Sequence, residues 1–542
     1  MSKEAPTLFL RKATGLVREV GPFTAMALGL THTIGGGINS LMIQGSAANP
    51  GASMPLAFAI TAIPTIFTAI CYTLLSISMP RTGGDYIYIT RAVNPIIGFL
   101  STWGFWFTEV LSLGIICFID IPLWGQCLQI AGAATGNTAW IDLGTTLVTD
   151  TTVMLMGSFA MLIIFTVTAY LGMRVYGWIV NALLIIPAIG SFATIGLLLS
   201  ATPANASSLW NQTYGAGTYE GIQALAAANS GHASYPLVPF SMDATLMGGI
   251  SAIWAYIGFT ASAYIGGEVK NPNRSMVYAI VMSACLIIFY YVLTSALVYR
   301  MFGDFIPTYV FVYSNSGTTG FTGDIANVLT VVPPASLPTF AAALTPGNAA
   351  LQFFVAITAA IWLMNDIPAF FVVCTRLVFA WSFDRFFPET FATVDERFHT
   401  PYWAVTLVFI GGIFGILLAW LGRQNLPGGF IAAMDTTMLY QVTVSFACIA
   451  AALTPYVRKD LYDKGLKIEL AGIPVLTIAG IIGFAFNFWF WLVAATWLSK
   501  TTDMLIQSLW MTAGLAIFVG YYIVNIKKGI DVKTIYAEVP PA

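Results

Sequence analysis

His32-Thr-Ile-Gly-Gly-Gly-Ile-Asn39 sets three consecutive glycines inside an apolar window otherwise long enough to cross a membrane as a helix. Each glycine costs a helix roughly 0.8–1 kcal/mol relative to alanine, so the run predicts that the helix unwinds here. Unwound backbone inside a bilayer is tolerated only where it lines a cavity or is buried in protein. There, freed amides at the start of a half-helix can hold a carboxylate, and freed carbonyls can accept from an ammonium. Close helix packing through small residues is the alternative reading of the same glycines.

The rest of the chain identifies the solvent as lipid. Of its 542 residues 58% are hydrophobic and only 8% charged, and the mean hydropathy is +0.80, values that exclude an ordinary soluble surface. A net charge of -2 offers no basic face to DNA or RNA, so no nucleic-acid partner is expected. The six cysteines lie singly in or beside apolar stretches, without a CxxC pair, and read as small buried hydrophobes rather than metal ligands. The N-terminal MSKEAPTLFLRK lacks the h-region and cleavage site of a removable signal peptide.

A helix needs about 20 apolar residues to span the hydrocarbon core. Windows that meet this begin near residues 21, 52, 96, 152, 176, 245, 276, 349, 402, 430, 471 and 504, which predicts twelve spans. With a cytoplasmic N-terminus, only Arg300, Arg423 and Lys500 of the 22 Lys and Arg fall outside. A wrong span count would reverse the alternation partway and spoil that asymmetry, so the positive-inside rule supports both the count and cytoplasmic placement of both termini. The long connections, residues 201–244 and 303–348, are nearly free of basic residues and are expected to face outward; the first carries the sequons Asn205-Ala-Ser and Asn211-Gln-Thr.

Span 6 repeats the theme of span 1. It reads Ile253-Trp-Ala-Tyr-Ile-Gly-Phe-Thr260, a glycine-interrupted helix at the corresponding place of a second five-span half. Interrupted helices in matching positions point to an inverted-repeat transporter with its site near the midplane. The organisation expected is a terminus 1–20, a first five-helix repeat 21–200, an outer loop 201–244, a second repeat 245–457 containing the loop 303–348, two further helices 458–526, and a terminus 527–542.

Four motifs carry a resemblance to a known family. They are Leu16-Val-Arg-Glu-Val-Gly21 leading into the glycines; Pro80-Arg-Thr-Gly-Gly-Asp-Tyr-Ile-Tyr88 with Arg91-Ala92; Glu268-Val-Lys-Asn-Pro-Asn-Arg274; and Arg376 with Asp384-Arg-Phe-Phe-Pro388. In these the chain resembles the amino acid-polyamine-organocation (APC) superfamily over nearly its whole length. The resemblance implies an all-α polytopic fold of twelve transmembrane helices: a 5+5 inverted repeat with broken helices 1 and 6, plus two peripheral helices. It further implies a substrate carboxylate on the amides of Gly35, Gly36 and Gly37, and a substrate amino group near carbonyls of Thr33, Ile34, Trp254 and Ile257, beside Gly258. Trp254 matches the family's aromatic gate. Two positions depart from the family. Thr260 stands where many relatives have an acid, which weakens any case for cationic substrates, and Pro187 stands where proton-coupled members often carry lysine.

Few ionisable residues lie within the predicted spans, and Glu109 and Asp366 are the deepest acidic ones. Insertion scales put an acid near a span's centre at roughly +2.5–3.5 kcal/mol, so each is expected to face the interior and to have a partner. Desolvation favours the protonated form of a carboxylic acid, which makes both acids, with His32, candidates for coupling proton movement to substrate movement. Hydrogen bonding to a neighbouring helix is the structural alternative. For sodium, span 8 offers Thr358 as its one hydroxyl, with Asp366 as a further oxygen. Arg81, Glu268, Arg274 and Asp384 are candidates for an inner gate; the basic cluster of Arg458, Lys459, Lys464 and Lys467 reads as solvated orientation charges.

The function expected is therefore secondary transport of amino acids or related amines across the plasma membrane by alternating access. Neutral or aromatic substrates are slightly favoured, given Trp254, Tyr256 and Phe259, and no cofactor is expected. A sodium-coupled symporter and a non-transporting nutrient sensor are the alternatives. An enzyme is disfavoured, since neither HExxH, a nucleophile elbow nor a metal-binding cluster of acids is present.

Overall fold

The computed structural model describes residues 13–426, 437–498 and 500–541. Lys3, Arg11 and Lys12, and the start of the window predicted near residue 430, lie outside the described residues. Among those described, ten helices are long and apolar enough to cross a membrane: Met54–Ser78, Pro95–Thr135, Thr151–Tyr170, Gly172–Ser200, Pro272–Phe302, Ala349–Phe383, Tyr402–Arg423, Thr437–Val457, Val475–Thr496 and Thr501–Lys527. They fall on ten of the twelve windows. The other two windows fall on the glycine-interrupted segments, each of which is built from shorter pieces, so neither qualifies by length.

Pro95–Thr135 shows how a single element is set by its ends. Asn94 accepts from the amides of Ile96 and Ile97, Pro95 occupies the first turn, and Gly136 terminates the helix at φ 68°. The helix continues through Pro122 and runs 41 residues, beyond what the bilayer requires. It is central: its most apolar window is 83% buried, and that of Ala349–Phe383 is 89% buried. Thr501–Lys527, at 17%, lies on the periphery. Small residues let the centre close up. A Cβ at Gly114 would overlap the backbone of Gly412 and Ile416 on Tyr402–Arg423, so these helices cross with backbones nearly touching. Thr501–Lys527 docks through Trp103 and Trp510, whose rings stack 4.6 Å apart while each indole N–H donates to the other's backbone carbonyl.

Three features depart from expectation. The long connections hold four short helices (Ala206–Tyr214, Thr218–Ala228, Phe305–Asn315 and Leu337–Ala343), packed around the buried Trp210. A two-residue hairpin, Glu469–Leu470 with Ile473–Pro474, interrupts the all-α pattern. Cys285 is exposed on an apolar face, so five of the six cysteines, not all, are buried.

Candidate functional site

The first break falls on the predicted stretch. Pro22–Thr31 ends at His32, residues 32–35 leave the helix, and the chain resumes as a π-helical turn, Gly37–Leu41, followed by Met42–Ala48. The freed backbone groups are partly met by neighbours. The Tyr291 hydroxyl donates to the Thr33 carbonyl, and the Asn39 side chain donates to the Gly35 carbonyl at 2.9 Å. Among the described residues the Ile34 carbonyl accepts no hydrogen bond.

The second break ends Met242–Tyr256 and resumes, for one turn, as Ala261–Tyr264. Between them Ile257 is extended and Gly258 takes φ +121°, a conformation that side chains resist. A Cβ on Gly258 would also overlap the His32 carbonyl. The two breaks therefore touch, backbone to backbone.

The glycines of the first break divide in role. Gly37 packs against Ala255 with no room for a Cβ, which is the small-residue packing that the sequence left open. A Cβ at Gly36 would lie 3.8 Å from Trp254 Cη2, and one at Gly35 would lie 3.7 Å from Asp366 Oδ2. Gly35 and Gly36 thus face the tryptophan and the acid, while Gly37 is committed to a helix contact. Tyr256 and Phe259 are buried, and the Tyr256 hydroxyl donates away from the breaks to the Phe58 carbonyl at 3.2 Å.

His32, Glu109 and Asp366, each singled out separately, form one triad. His32 Nε2 stands 2.9 Å from Glu109 Oε2 and Nδ1 stands 2.7 Å from Asp366 Oδ1. All three side chains are buried, and the edge of the imidazole meets Phe370 with centroids 4.5 Å apart. Asp366 reaches the ring because its own helix breaks beside it. Asn365 caps Ala349–Met364, and Pro368 enters the first turn of Ile367–Phe383, which begins just after Asp366. A proton in each of the two gaps leaves the triad with one net negative charge, whichever atoms hold the protons; a third proton neutralises it. The group can therefore take up or release a charge next to both breaks.

A second buried acid on Pro95–Thr135, Asp120, escaped sequence reading. One of its oxygens accepts from Trp124 Nε1 at 2.9 Å, and the other has no partner among the described residues. The signal was present: Ile119-Asp-Ile continues the apolar run of span 3 well past 20 residues.

At the end of the molecule where the basic residues gather, the four gate candidates do not pair with one another. Glu268 binds Arg376 through two bonds of 2.9 and 2.8 Å, and Asp384 binds Arg91 at 2.6 Å and Tyr86 at 3.0 Å. Arg81 donates to the Pro540 carbonyl, and Arg274 lies 5.7 Å from the Tyr278 ring centroid. The partners Arg376 and Arg91 were not among the gate candidates, because each reads in sequence as a helix residue whose charge has no evident partner. Backbone pairing closes the same region: Val20 bridges Val269, and Thr82 bridges Ile265.

The sequence profile described as "Amino acid permease" matches residues 20–522. The chain is similar to a methylthioribose transporter of Bacillus subtilis, 23% identical over 520 residues covering 94% of each chain. It is also similar to the branched-chain amino acid permease BcaP of Bacillus subtilis, 22% identical over 467 residues and 85% of each chain. A third relative, the b(0,+)-type amino acid transporter 1 of Oryctolagus cuniculus, is 25% identical over 295 residues, 52% of this chain and 51% of its own. The family is one of transporters, and the apolar helices make this a multi-pass membrane protein. With a match that spans nearly its whole length, the chain belongs to the amino acid permease family of the APC superfamily.

Proposed function

We propose that the protein is a secondary active transporter of amino acids, neutral or aromatic ones slightly favoured, that works by alternating access and couples to protons or runs as an exchanger. The observation that carries this reading is the contact of two helix breaks at Gly258 and His32, with a titratable triad built into one of them. Twelve crossings, ten by long helices and two by interrupted segments, arranged as a 5+5 inverted repeat with two peripheral helices and cytoplasmic termini in the plasma membrane, give these breaks equivalent places in the halves. The substrate carboxylate binds amides at Gly35 and Gly36, its ammonium meets the open Ile34 carbonyl and the negative triad, and Trp254 covers it. Gating rests on the pairs Glu268–Arg376 and Asp384–Arg91.

Sodium coupling has less support. The Thr358 hydroxyl bonds within its own helix to Phe354 and packs against Gly190 on Gly172–Ser200, and Asp366 is engaged by His32. The test is uptake into vesicles containing the purified protein, screened over the amino acids and, because of the relative's name, methylthioribose. Accumulation driven by an inward proton gradient and unaffected by sodium supports the reading. Binding without any flux overturns it in favour of a sensor.

A further inference from the structure

Three basic side chains, Arg18, Arg81 and Lys464, line one cavity of about 290 Å³ at the end of the molecule where the basic residues gather. They reach it from separate parts of the chain: Arg18 from the segment before Pro22–Thr31, Arg81 from the turn after Met54–Ser78, and Lys464 from the turns after Thr437–Val457. Asn273 adds a side-chain amide, and no Asp or Glu is among the lining residues. Among the described residues none of the three cations forms an ion pair. Asp460 lies within electrostatic reach of Lys464 but is bound by Arg458 through two bonds of 3.0 Å. Arg81 Nε donates to the Pro540 carbonyl and Nη1 to the Pro80 carbonyl at 2.9 Å, while Nη2 meets no protein acceptor among the described residues.

Such a gathering is unfavourable without a counter-charge. Burial and the charge of Arg18 both pull the Arg81 guanidinium below its ordinary range. The backbone keeps the two arginines in place: Val20, two residues from Arg18, bridges Val269, and Thr82, next to Arg81, bridges Ile265. Both are therefore anchored to the one stretch that follows the second break, and a ligand between them meets donors already positioned. Ile77, in the last turn of Met54–Ser78, and Leu461 supply apolar wall. Beyond Lys464 the chain exposes Leu466, Ile468, Leu470 and Ile473 around Lys467. Exposed apolar side chains interleaved with lysines belong to the interfacial layer of a bilayer, the depth at which lipid phosphates lie.

We propose that the cavity at Arg18, Arg81 and Lys464 binds the phosphate group of an anionic phospholipid. The planar fork of a guanidinium suits the phosphate oxygens, and Lys464 adds a point charge. The inference goes beyond the transport reading and does not depend on it. A lipid held there fastens the segment before the first break to the turns after Met54–Ser78 and Thr437–Val457, so its binding is read in thermal stability.

The experiment titrates the purified full chain in neutral detergent with dihexanoyl phosphatidylglycerol, dihexanoyl phosphatidylcholine or inorganic phosphate, following the rise in melting temperature. Phosphatidylglycerol is expected to stabilise at a midpoint at least about tenfold below that of phosphatidylcholine. Arg18→Gln with Lys464→Gln is expected to raise this midpoint about thirtyfold, and either change alone about fivefold, at about 1 kcal/mol for each charge beside a lipid headgroup. Lys527→Gln with Lys533→Gln removes two exposed lysines that do not line the cavity, and should stay within about twofold of the wild type. A loss in that control equal to the cavity variant's, or equal stabilisation by phosphatidylcholine, overturns the site, since binding would then follow overall charge or the acyl chains alone. Inorganic phosphate acting at the midpoint of phosphatidylglycerol overturns the lipid assignment. A melting temperature that phosphatidylglycerol leaves unmoved overturns the proposal outright.

Discussion

Gly258 lies with its backbone against the carbonyl oxygen of His32, and that contact joins the two helix breaks at the point where the triad begins. The joint is sterically exacting, because Gly258 also holds φ +121°. Gly258→Ala is expected to lower the melting temperature in detergent and abolish uptake, since the backbone strain alone costs on the order of 1–3 kcal/mol before the overlap is counted. Gly36→Ala is the contrast. Its Cβ would meet only Leu363 at 3.7 Å and Trp254 at 3.8 Å, ordinary contacts, so the variant should melt near the wild type and show its defect as a raised KM. Equal melting points for the two variants would contradict this division of roles.

His32 keeps two buried carboxyl groups apart, and its removal should be felt through both. His32→Gln is expected to cost on the order of 3–5 kcal/mol, the usual effect of taking one partner from a buried ionic set. Adding Glu109→Gln should recover part of that loss, because a neutral amide replaces one of the stranded acids. A double-mutant cycle read by thermal unfolding checks this: the coupling should exceed about 0.5 kcal/mol. Additive losses would mean that the 2.9 Å contact contributes nothing to stability.

Both helix breaks were legible in the sequence because glycine reports directly on backbone cost, and so were His32, Glu109 and Asp366, because ionisable groups stand out against an apolar run. Their assembly was not legible. Residues 32, 109 and 366 meet only through the crossing of three helices, and no spacing rule reaches across such distances. Tyr291 was missed for a related reason: a tyrosine in an apolar helix carries no mark that its hydroxyl will satisfy the Thr33 carbonyl. Asp120 was missed because the expected helix ended near the bilayer thickness, whereas Pro95–Thr135 continues to the next capping glycine. Glu268 and Asp384 were singled out without their partners Arg376 and Arg91, since arginine in a helix reads equally well as solvated or paired.

Arg376 holds Glu268 through two bonds just past the second broken segment, from its Nε and one terminal nitrogen to the two carboxylate oxygens. Lysine can carry the charge but cannot reproduce the fork. Arg376→Lys is therefore expected to fall between the wild type and Arg376→Ala in stability. The exchanged pair Glu268→Arg with Arg376→Glu should restore more of the melting temperature than either single change. Restoration to no better than the worse single variant would show that the site requires this orientation of charges and that simple pairing is not enough.

Burial pushes the Asp85 carboxyl up to about 7, against the pull of the Tyr264 and Tyr72 hydroxyls and its local amides. The unfolded chain releases this proton near the ordinary carboxylate value of about 3.9, so between these values the folded state binds more protons than the unfolded state. Stability must then decline as pH rises through that window, by on the order of a few kcal/mol, with the full cost present above pH 7. Asp85→Asn mimics the protonated acid and lacks the penalty. Melting curves at intervals from pH 4.5 to 8 should show the variant gaining on the wild type as pH rises; a constant difference would place the carboxyl in its usual range.

The C-terminal segment ties three arginines that belong to separate parts of the end of the molecule where the basic residues gather. Arg458 donates to the Ala537 carbonyl at 2.8 Å, Arg91 to Glu538 at 3.3 Å, and Arg81 to Pro540, while Tyr536 is buried against Phe386 and under the Arg91 guanidinium at 5.3 Å. Without the segment, Arg91 keeps Asp384 but faces a void where a ring and a carbonyl had been. Deletion from Val532 onward should therefore lower stability by at least about 1.5 kcal/mol, the contribution of a single hydrogen bond to a charged group. Tyr536→Ala alone should reproduce most of the loss if packing dominates, and little of it if the three carbonyls do. Thermal unfolding of both variants beside the wild type separates the two causes, and an undiminished melting temperature in the deletion would show that the segment rests on this end of the molecule without holding it.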